Sequence, residues 1–416
     1  LITGRFCGTI GATAVGMGGQ VTILVINLVS GLAVGGTVLI AQFIGARRQQ
    51  EVERTVGTMF TLYAIAGAAI TVIMLLINPW VLRLMQTPAD CYGEALAYLN
   101  ICMGGTLFIV GYNAVSAVLR GMGDSRHPLI FVGVAAVVNI VLDPVFIFAL
   151  DMGVRGAALA TVIAQGCSAV WVLKFLTGRK AILRLRLRNL ALGAGRVKSI
   201  VALGLSGFFM NLTNSLVQVV CNATLQAYGG DLYVGVMTII NSLREVFFMP
   251  VQGLTNGAQP VTGYNYGAGR YSRVRSSIRF SVAVTVGYAA VFWAAAMLFP
   301  GLLIRVFNSE PEVVAAGIPA LRIYFCLFIP MSLQMAGQGV FVGLGRSKQA
   351  IFFSLLRKAV INAPLTVILP IWIGTTGVFT AEAVSQLIGG LACILTMYFT
   401  VYRPLGSLPD QPLERV

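Results

Sequence analysis

Long apolar stretches alternate with short polar connectors along the whole chain, and that pattern predicts the architecture. Spans are expected at 15–44, 56–82, 95–119, 128–150 and 155–177, then at 199–228, 233–262, 277–306, 313–342, 350–371 and 376–402, with a remnant at 1–8. Each full span reaches the roughly 20 apolar residues a helix needs to cross a bilayer. Backbone groups in hydrocarbon must be bonded within the segment, so isolated spans of this kind are helices. The fold class that follows is all-α integral membrane, with no soluble domain between the spans.

The two sets of spans repeat one another. Leu32, Gly35, Gly45, Ala46, Arg48 and Val52 recur as Leu254, Gly257, Gly267, Ala268, Arg270 and Val274. Gly121, Gly123 and Ser125 recur as Gly343, Gly345 and Ser347, again 222 positions on. A constant offset that also lays basic connectors on basic connectors predicts two six-helix lobes, a parallel repeat about an axis along the membrane normal. The expected organisation is an N-terminal lobe at 1–177, a basic cytoplasmic linker at 178–198, a C-terminal lobe at 199–403 and a tail at 404–416. The same offset carries residue 1 onto Ala223, late in the span 199–228. About two dozen residues of a first helix are therefore expected to be absent from this sequence.

Composition narrows the function classes. Apolar residues make up 57% of the 416 positions and charged residues only 10%, against about a quarter charged in soluble domains. The formal charge of +15 raises the question of nucleic acid, but the charges sit in alternate connectors. One set carries Arg47, Arg48 and Arg54; Arg120 and Arg126; Arg179 through Lys198; Arg270, Arg273, Arg275 and Arg279; and Arg346 with Lys348. The connectors between them hold only Arg83, Arg155 and Arg305, set against Asp90, Glu94, Asp151, Asp231, Glu310 and Glu312. This is the positive-inside asymmetry, which puts the basic connectors on the cytoplasmic side of a prokaryotic inner membrane, near anionic lipid headgroups. No soluble face interleaves basic and aromatic residues, so nucleic acid is excluded as a partner. The cysteines are scattered, with no paired spacing and no neighbouring His; no disulfide and no metal site are expected.

Of the fourteen acidic residues, Asp143, Glu245 and Glu382 fall well inside predicted spans. An ionisable group there costs several kcal/mol, which makes each a functional candidate. Asp143 is the strongest. Asn139 lies four residues before it, on the same helical face, and Pro144 frees a carbonyl one turn back. Thr161 and Gln165 are again four apart on the next span, behind the small-residue seam of Gly156 and Ala160, which allows close helix approach. An amide, a carboxylate, a hydroxyl and a free carbonyl suit a proton or a hard cation such as sodium; a structural Asp tying two helices together is the bland alternative. Glu245 follows Arg244, and adjacent helical residues need not pair; a structural ion pair elsewhere is as expected as a transport role. For Glu382, near Gln386, the structural reading is preferred, and Arg322 and Arg357 are expected near helix ends, where long side chains snorkel. Asn211, Asn214, Gln218 and Asn222 stripe one span, and Gln334 and Gln338 follow Pro330 on another. Both sets suit either a polar substrate cavity or interhelical bonding. His127 belongs to a solvated loop, and the two Gly-x-Gly loops are tight turns without a Walker lysine.

Several runs resemble one known family. Gln259-Pro-Val-Thr-Gly-Tyr-Asn-Tyr-Gly-Ala-Gly-Arg270, Leu119-Arg-Gly-Met-Gly-Asp124, Asn139 to Pro144 and Gly156 to Gln165 are similar to the multidrug and toxic compound extrusion (MATE) family, most closely to its DinF-like branch. The resemblance runs over essentially the whole chain. It implies twelve helices in two six-helix lobes around a V-shaped cavity, and exchange of organic cations for protons or sodium. In that branch an Asp of the first helix joins an Asn and Asp of the fifth and a Thr of the sixth; Asn139, Asp143 and Thr161 match the last three. An Asn of the fourth helix also belongs to the site, a place for Asn113 or Ser116. The first-helix Asp would fall in the segment expected to be absent. The branch that couples through acids on the seventh and tenth helices finds none here.

The function expected is therefore a cation-coupled antiporter, with no cofactor beyond the coupling ion, exporting small organic and mainly cationic amphipathic molecules by alternating access. It is expected to work as a monomer among membrane lipids. The alternative is a lipid-linked oligosaccharide flippase of the same wider superfamily, for which only Arg244, Arg322 and Arg357 stand as cavity cations. An intramembrane enzyme would need clustered acids, a His dyad or a metal constellation, and the sequence offers none.

Overall fold

The computed structural model describes residues 8–85, 87–177 and 193–411, and the side chains of these except 8–9, 12, 173, 175–177, 206–209 and 211. All but the last residue of the remnant at 1–8, and most of the linker, lie outside them. Among the described residues every regular element is helical.

The described residues form eleven helical passes. The first two are α1 (Gly8–Gly45) and α2 (Gln49–Leu84). The third, α3, has two segments, Ala89–Gly104 and Thr106–Gly121, meeting at 44°. Next come α4 (Arg126–Pro144), which runs on into a π-helical turn at Val145–Ala149, and α5 (Gly153–Thr177). The stretch Ala194–Gly267 is two passes broken at Gly230: α6 at 194–229 and α7 at 231–267. Gly230 takes φ 64°, ψ −163°, a conformation essentially restricted to glycine. Then follow α8 (Tyr271–Leu298) and α9, whose segments Pro311–Phe325 and Phe328–Gly343 meet at 46°. The composite α10 comprises Ser347–Leu355, a π-helical turn at Leu356–Asn362, Ala363–Ile368 and Pro370–Ile373, and α11 is Thr376–Met397.

Among the described residues eight helical stretches have the length and hydropathy of membrane spans, α6 and α7 counting together as one of them, and the bent pairs of α3 and α9 pass as two more. Their outer faces carry exposed Leu76, Trp80, Leu129 and Trp372, as lipid-facing surfaces do and water-facing ones rarely can.

The backbone repeats as the sequence does. Arg48 and Arg270, at the starts of α2 and α8, share φ near −90° and ψ near 69°. After α3 and α9, Asp124 N–H donates to Leu119 O and Arg346 N–H to Phe341 O, with Gly123 and Gly345 at φ 86° and 78°. At the α1–α2 turn Arg47 takes φ 54°, where the α7–α8 turn has Gly269 at 66°.

The chain forms two compact units, Leu1–Leu205 and Ser206–Val416. In the N-terminal unit one core gathers Val29, Ala33, Ile40, Met59, Tyr63, Ala114 and Val118, and another Leu82, Ala95, Leu99, Met103 and Ala158. Small residues bring its helices close: a Cβ on Gly204 would lie 2.8 Å from the Leu32 backbone. In the C-terminal unit the core is aromatic, with Phe247, Tyr324, Phe325, Phe328 and Phe379 buried together and Phe247 edge-on to Phe325.

Candidate functional site

Each unit holds a polar cluster within its membrane-length helices. In the N-terminal unit α4 packs along α5. Gly156 makes the approach possible, since a Cβ there would meet the Phe146 backbone at 3.0 Å. Across this seam Asn139 Nδ2 donates to Thr161 Oγ1 at 3.3 Å and to Asp143 Oδ1 at 3.5 Å, the latter at the limit of a hydrogen bond. Thr161 Oγ1 in turn donates to Ala157 O at 3.0 Å. All three side chains are half-buried. Among the described residues no Lys, Arg or His forms an ion pair with Asp143. Its carboxylate therefore keeps free lone pairs next to an amide and a hydroxyl, ligands suited to a proton or a hard monovalent cation. Pro144 ends the α-helical ladder, and the π-helical turn after it is a common feature of functional sites.

Asn113 lies elsewhere in the same unit. Its Nδ2 donates to Ile109 O at 2.8 Å, and its Oδ1 accepts from Ser30 Oγ at 3.4 Å, joining α3 to α1. The buried Ser116 Oγ has no hydrogen-bond partner among the described residues. A cavity of about 790 Å³ opens near the start of α1 and α5, with Glu94, Asp151 and Arg155 among its lining residues beside Ile147 and Phe148. Sequence reasoning placed these three charges in connectors and gave them no role.

The C-terminal unit holds the cluster that sequence reasoning underrated. Glu382 on α11 is 3% exposed, and Lys358 and Arg357 on the π-helical turn of α10 are 4% and 8% exposed. Lys358 Nζ donates to both carboxylate oxygens, at 3.0 and 3.2 Å, and Asn362 Nδ2 donates to Oε2. Arg357 Nη1 stands 3.7 Å from Oε1. Thr366 extends the network from Asn362 Oδ1 towards Cys221 on α6. Arg357 thus does not snorkel from a helix end; it is buried beside an acid. Lys358 went unnoticed altogether.

The remaining candidates occupy separate places. Arg244 Nη2 donates to Glu245 Oε1 at 2.8 Å and Nη1 to Tyr324 Oη at 3.5 Å. The neighbours do pair, because the long Arg side chain curls back, although the helix directs adjacent residues apart. Gln334 and Gln338 are buried and donate to Phe353 O and Ala350 O at 3.2 and 3.0 Å, so they bond α9 to α10. Asn214 and Gln218 are half-buried, with Gln218 Nε2 donating to Asn222 at 3.2 Å. The side chain of Asn211 lies outside the described residues.

The model of the MatE family matches residues 1–145 and 207–368, most of the chain and a part of each unit. The chain belongs to the MatE family. Together with its apolar helices, that makes it a multi-pass membrane protein. Among the relatives of this MatE protein, it is 28% identical to the probable multidrug resistance protein YpnP of Bacillus subtilis, over 76% of this chain and 70% of that protein. It is 22% identical to the multidrug export protein MepA of Staphylococcus aureus, over 91% of this chain and 84% of that protein. Its fold is that of a MATE crystal structure in the bent conformation, with TM-score 0.92 at 24% identity over 98% of this chain and 91% of that one. A MOP superfamily transporter from Pyrococcus furiosus, described as having a binding pocket of reverse polarity, matches at TM-score 0.89 and 24% identity, over 98% and 92% of the two chains.

Proposed function

We propose that this MatE protein is an antiporter that exports organic, mainly cationic amphipathic solutes, driven by entry of a proton or sodium ion at Asn139, Asp143 and Thr161. The observation that carries this is the Asp143 carboxylate, deep in an apolar helix and bonded to a neutral amide, with no cationic partner among the described residues. An ionised carboxylate left so inside a membrane-length helix is costly even when only half-buried, and a cation binding there lowers the cost. Occupied and empty forms then favour different packings of α4 against α5, and the ion gradient selects between them. Each charge that crosses supplies about 2.3 kcal/mol per 100 mV. The names of YpnP and MepA as multidrug proteins support the solute class. The basic connectors support a cytoplasmic placement in a prokaryotic inner membrane. The solute passes through chemically unchanged, so no catalytic residue is assigned.

The test is ethidium efflux from energised cells expressing the full-length protein, compared with Asp143→Asn. Efflux that collapses with the ion gradient and is lost in a well-expressed variant is the expected result. Efflux that persists in the variant removes Asp143 from coupling and leaves it a structural role.

A further inference from the structure

We infer that Arg357, with Lys358 and Gln386, forms a binding site in the C-terminal unit for a small anion or for the anionic group, carboxylate or phosphate, of a solute. Charge points there first. Arg357, Lys358 and Glu382 are all buried, two cations against one acid, so the cluster holds a positive charge with no counter-charge among its own members. Arg244 adds none to spare, since its guanidinium is engaged by Glu245. A lone cation in an apolar interior is unfavourable unless an anion accompanies it.

Hydrogen bonding points to the same place. The carboxylate of Glu382 is already taken by Lys358 and Asn362. Arg357 Nε and Nη1 are left buried with no acceptor among the described residues. Gln386, one helical turn beyond Glu382 and fully buried, lacks a partner at both amide atoms. The guanidinium is also positioned. A Cβ on Gly389, the next residue but two on α11, would lie 2.8 Å from Arg357 Cβ and Cγ, so the bare glycine is the bed on which the Arg stem rests. A planar guanidinium with free donors is the side chain best matched to an oxyanion.

The place of the cluster within the repeat agrees. Under the 222-residue offset, Asn139, Asp143 and Thr161 fall on Ile361, Leu365 and Ala383, each within three residues of Asn362 or Glu382. The same helix pair thus carries a net acidic cluster in one unit and a net basic one in the other. This inference is independent of which ion drives export.

The experiment uses the purified full-length protein in detergent, equilibrated in a salt of a large excluded anion. Chloride, inorganic phosphate, acetate and an amphipathic carboxylate are titrated, with thermal shift and calorimetry as readouts and matched ionic strength as control. Saturable binding that weakens at least about tenfold, or 1.4 kcal/mol, in both Arg357→Gln and Gly389→Ala is the expected result. Gly389→Ala keeps every charge, so it remains informative if Arg357→Gln does not fold. Saturation by chloride or phosphate identifies a free inorganic ion as the ligand; saturation by the amphipathic carboxylate alone identifies a solute group. No saturable response to any anion, or an unchanged response in both variants, overturns the site. Because binding is read directly, neither outcome bears on efflux through Asp143.

Discussion

Glu382→Gln is the perturbation from which most can be learned. It removes one negative charge and almost no volume. The wild-type cluster carries one net positive charge, and the variant carries two. Lys358 Nζ sits 3.0 Å from the carboxylate; at an effective dielectric of about 20 that contact alone is worth roughly 5 kcal/mol of Coulomb energy, before desolvation is set against it. Removing one partner of a buried pair costs about 3–5 kcal/mol in practice, and Glu382→Gln should fall in that range. Lys358→Met behaves differently. It leaves Glu382 facing Arg357, already 3.7 Å away, in a neutral pair, and should cost under about 1.5 kcal/mol, as volume-conserving changes do. The double variant restores the wild-type net charge and should be more stable than Glu382→Gln alone, with a coupling of about 2–3 kcal/mol. Fluorescence-monitored thermal unfolding in detergent measures this, with unfolding rates at fixed temperature as the readout if the transition is irreversible. Equal costs for the two single variants, adding in the double, would show that the cluster is screened by solvent and refute the charge reasoning.

Three further outcomes follow from local geometry. Gly269→Ala places a Cβ at φ 66° and should cost about 1–2 kcal/mol in unfolding measurements, whereas alanine at Gly235, where a Cβ meets nothing within 4 Å and the helix is regular, should be tolerated. Gly156→Ala drives a Cβ against the Phe146 backbone; it should cost about 1–3 kcal/mol and, by parting Asn139 from Thr161, lower ion-driven efflux at unchanged expression. In the α3–α4 connector, burial pushes the Asp124 carboxyl up, but hydrogen bonds from His127 N–H and Nδ1 and from Arg126 N–H outweigh it and hold the group below its usual 3.8. A depressed carboxyl stabilises above its unfolded value and loses that contribution as pH falls through the folded one. Asp124→Asn should therefore cost less than about 1 kcal/mol at neutral pH for so exposed a pair, and its deficit should shrink progressively as pH falls below about 4.

The spans were legible in the sequence because apolar length is a direct statement about the bilayer. So was the turn chemistry of the repeat, which glycines at 123 and 345 announce. The juxtaposition of Asn139, Asp143 and Thr161 could be read from α-helical spacing and a small-residue seam. What could not be read arises where helices depart from regularity. Arg357 and Lys358 are neighbours, and an α-helix would aim them about 100° apart; the π-helical turn at Leu356–Asn362 lets both reach Glu382. No sequence pattern marks that turn. The sequence therefore gives no sign of the partner of Glu382. Arg244 and Glu245 show the opposite limit: helix geometry governs where side chains leave the backbone, and a long, flexible side chain can still return to its neighbour. The breaks within α3 and α9 are marked only by Gly104-Gly105 and by Pro330 three residues past Leu327, signals that unbroken membrane helices also tolerate.

Those two breaks have a consequence for history. They bend by 44° and 46°, and Gly105 lies 222 residues before Leu327, the residue at which the second segment of α9 is capped. Glycine stands at one and leucine at the other, so the shape does not depend on which residue occupies the break. The simplest descent is from one ancestral gene, doubled and fused, whose product already carried the bend when two identical copies worked together. Such a pair must have had equal electrostatics in both halves. The net acidic and net basic clusters now found on corresponding helices are then later than the scaffold, specialisations that became possible only when fusion freed each half to change alone.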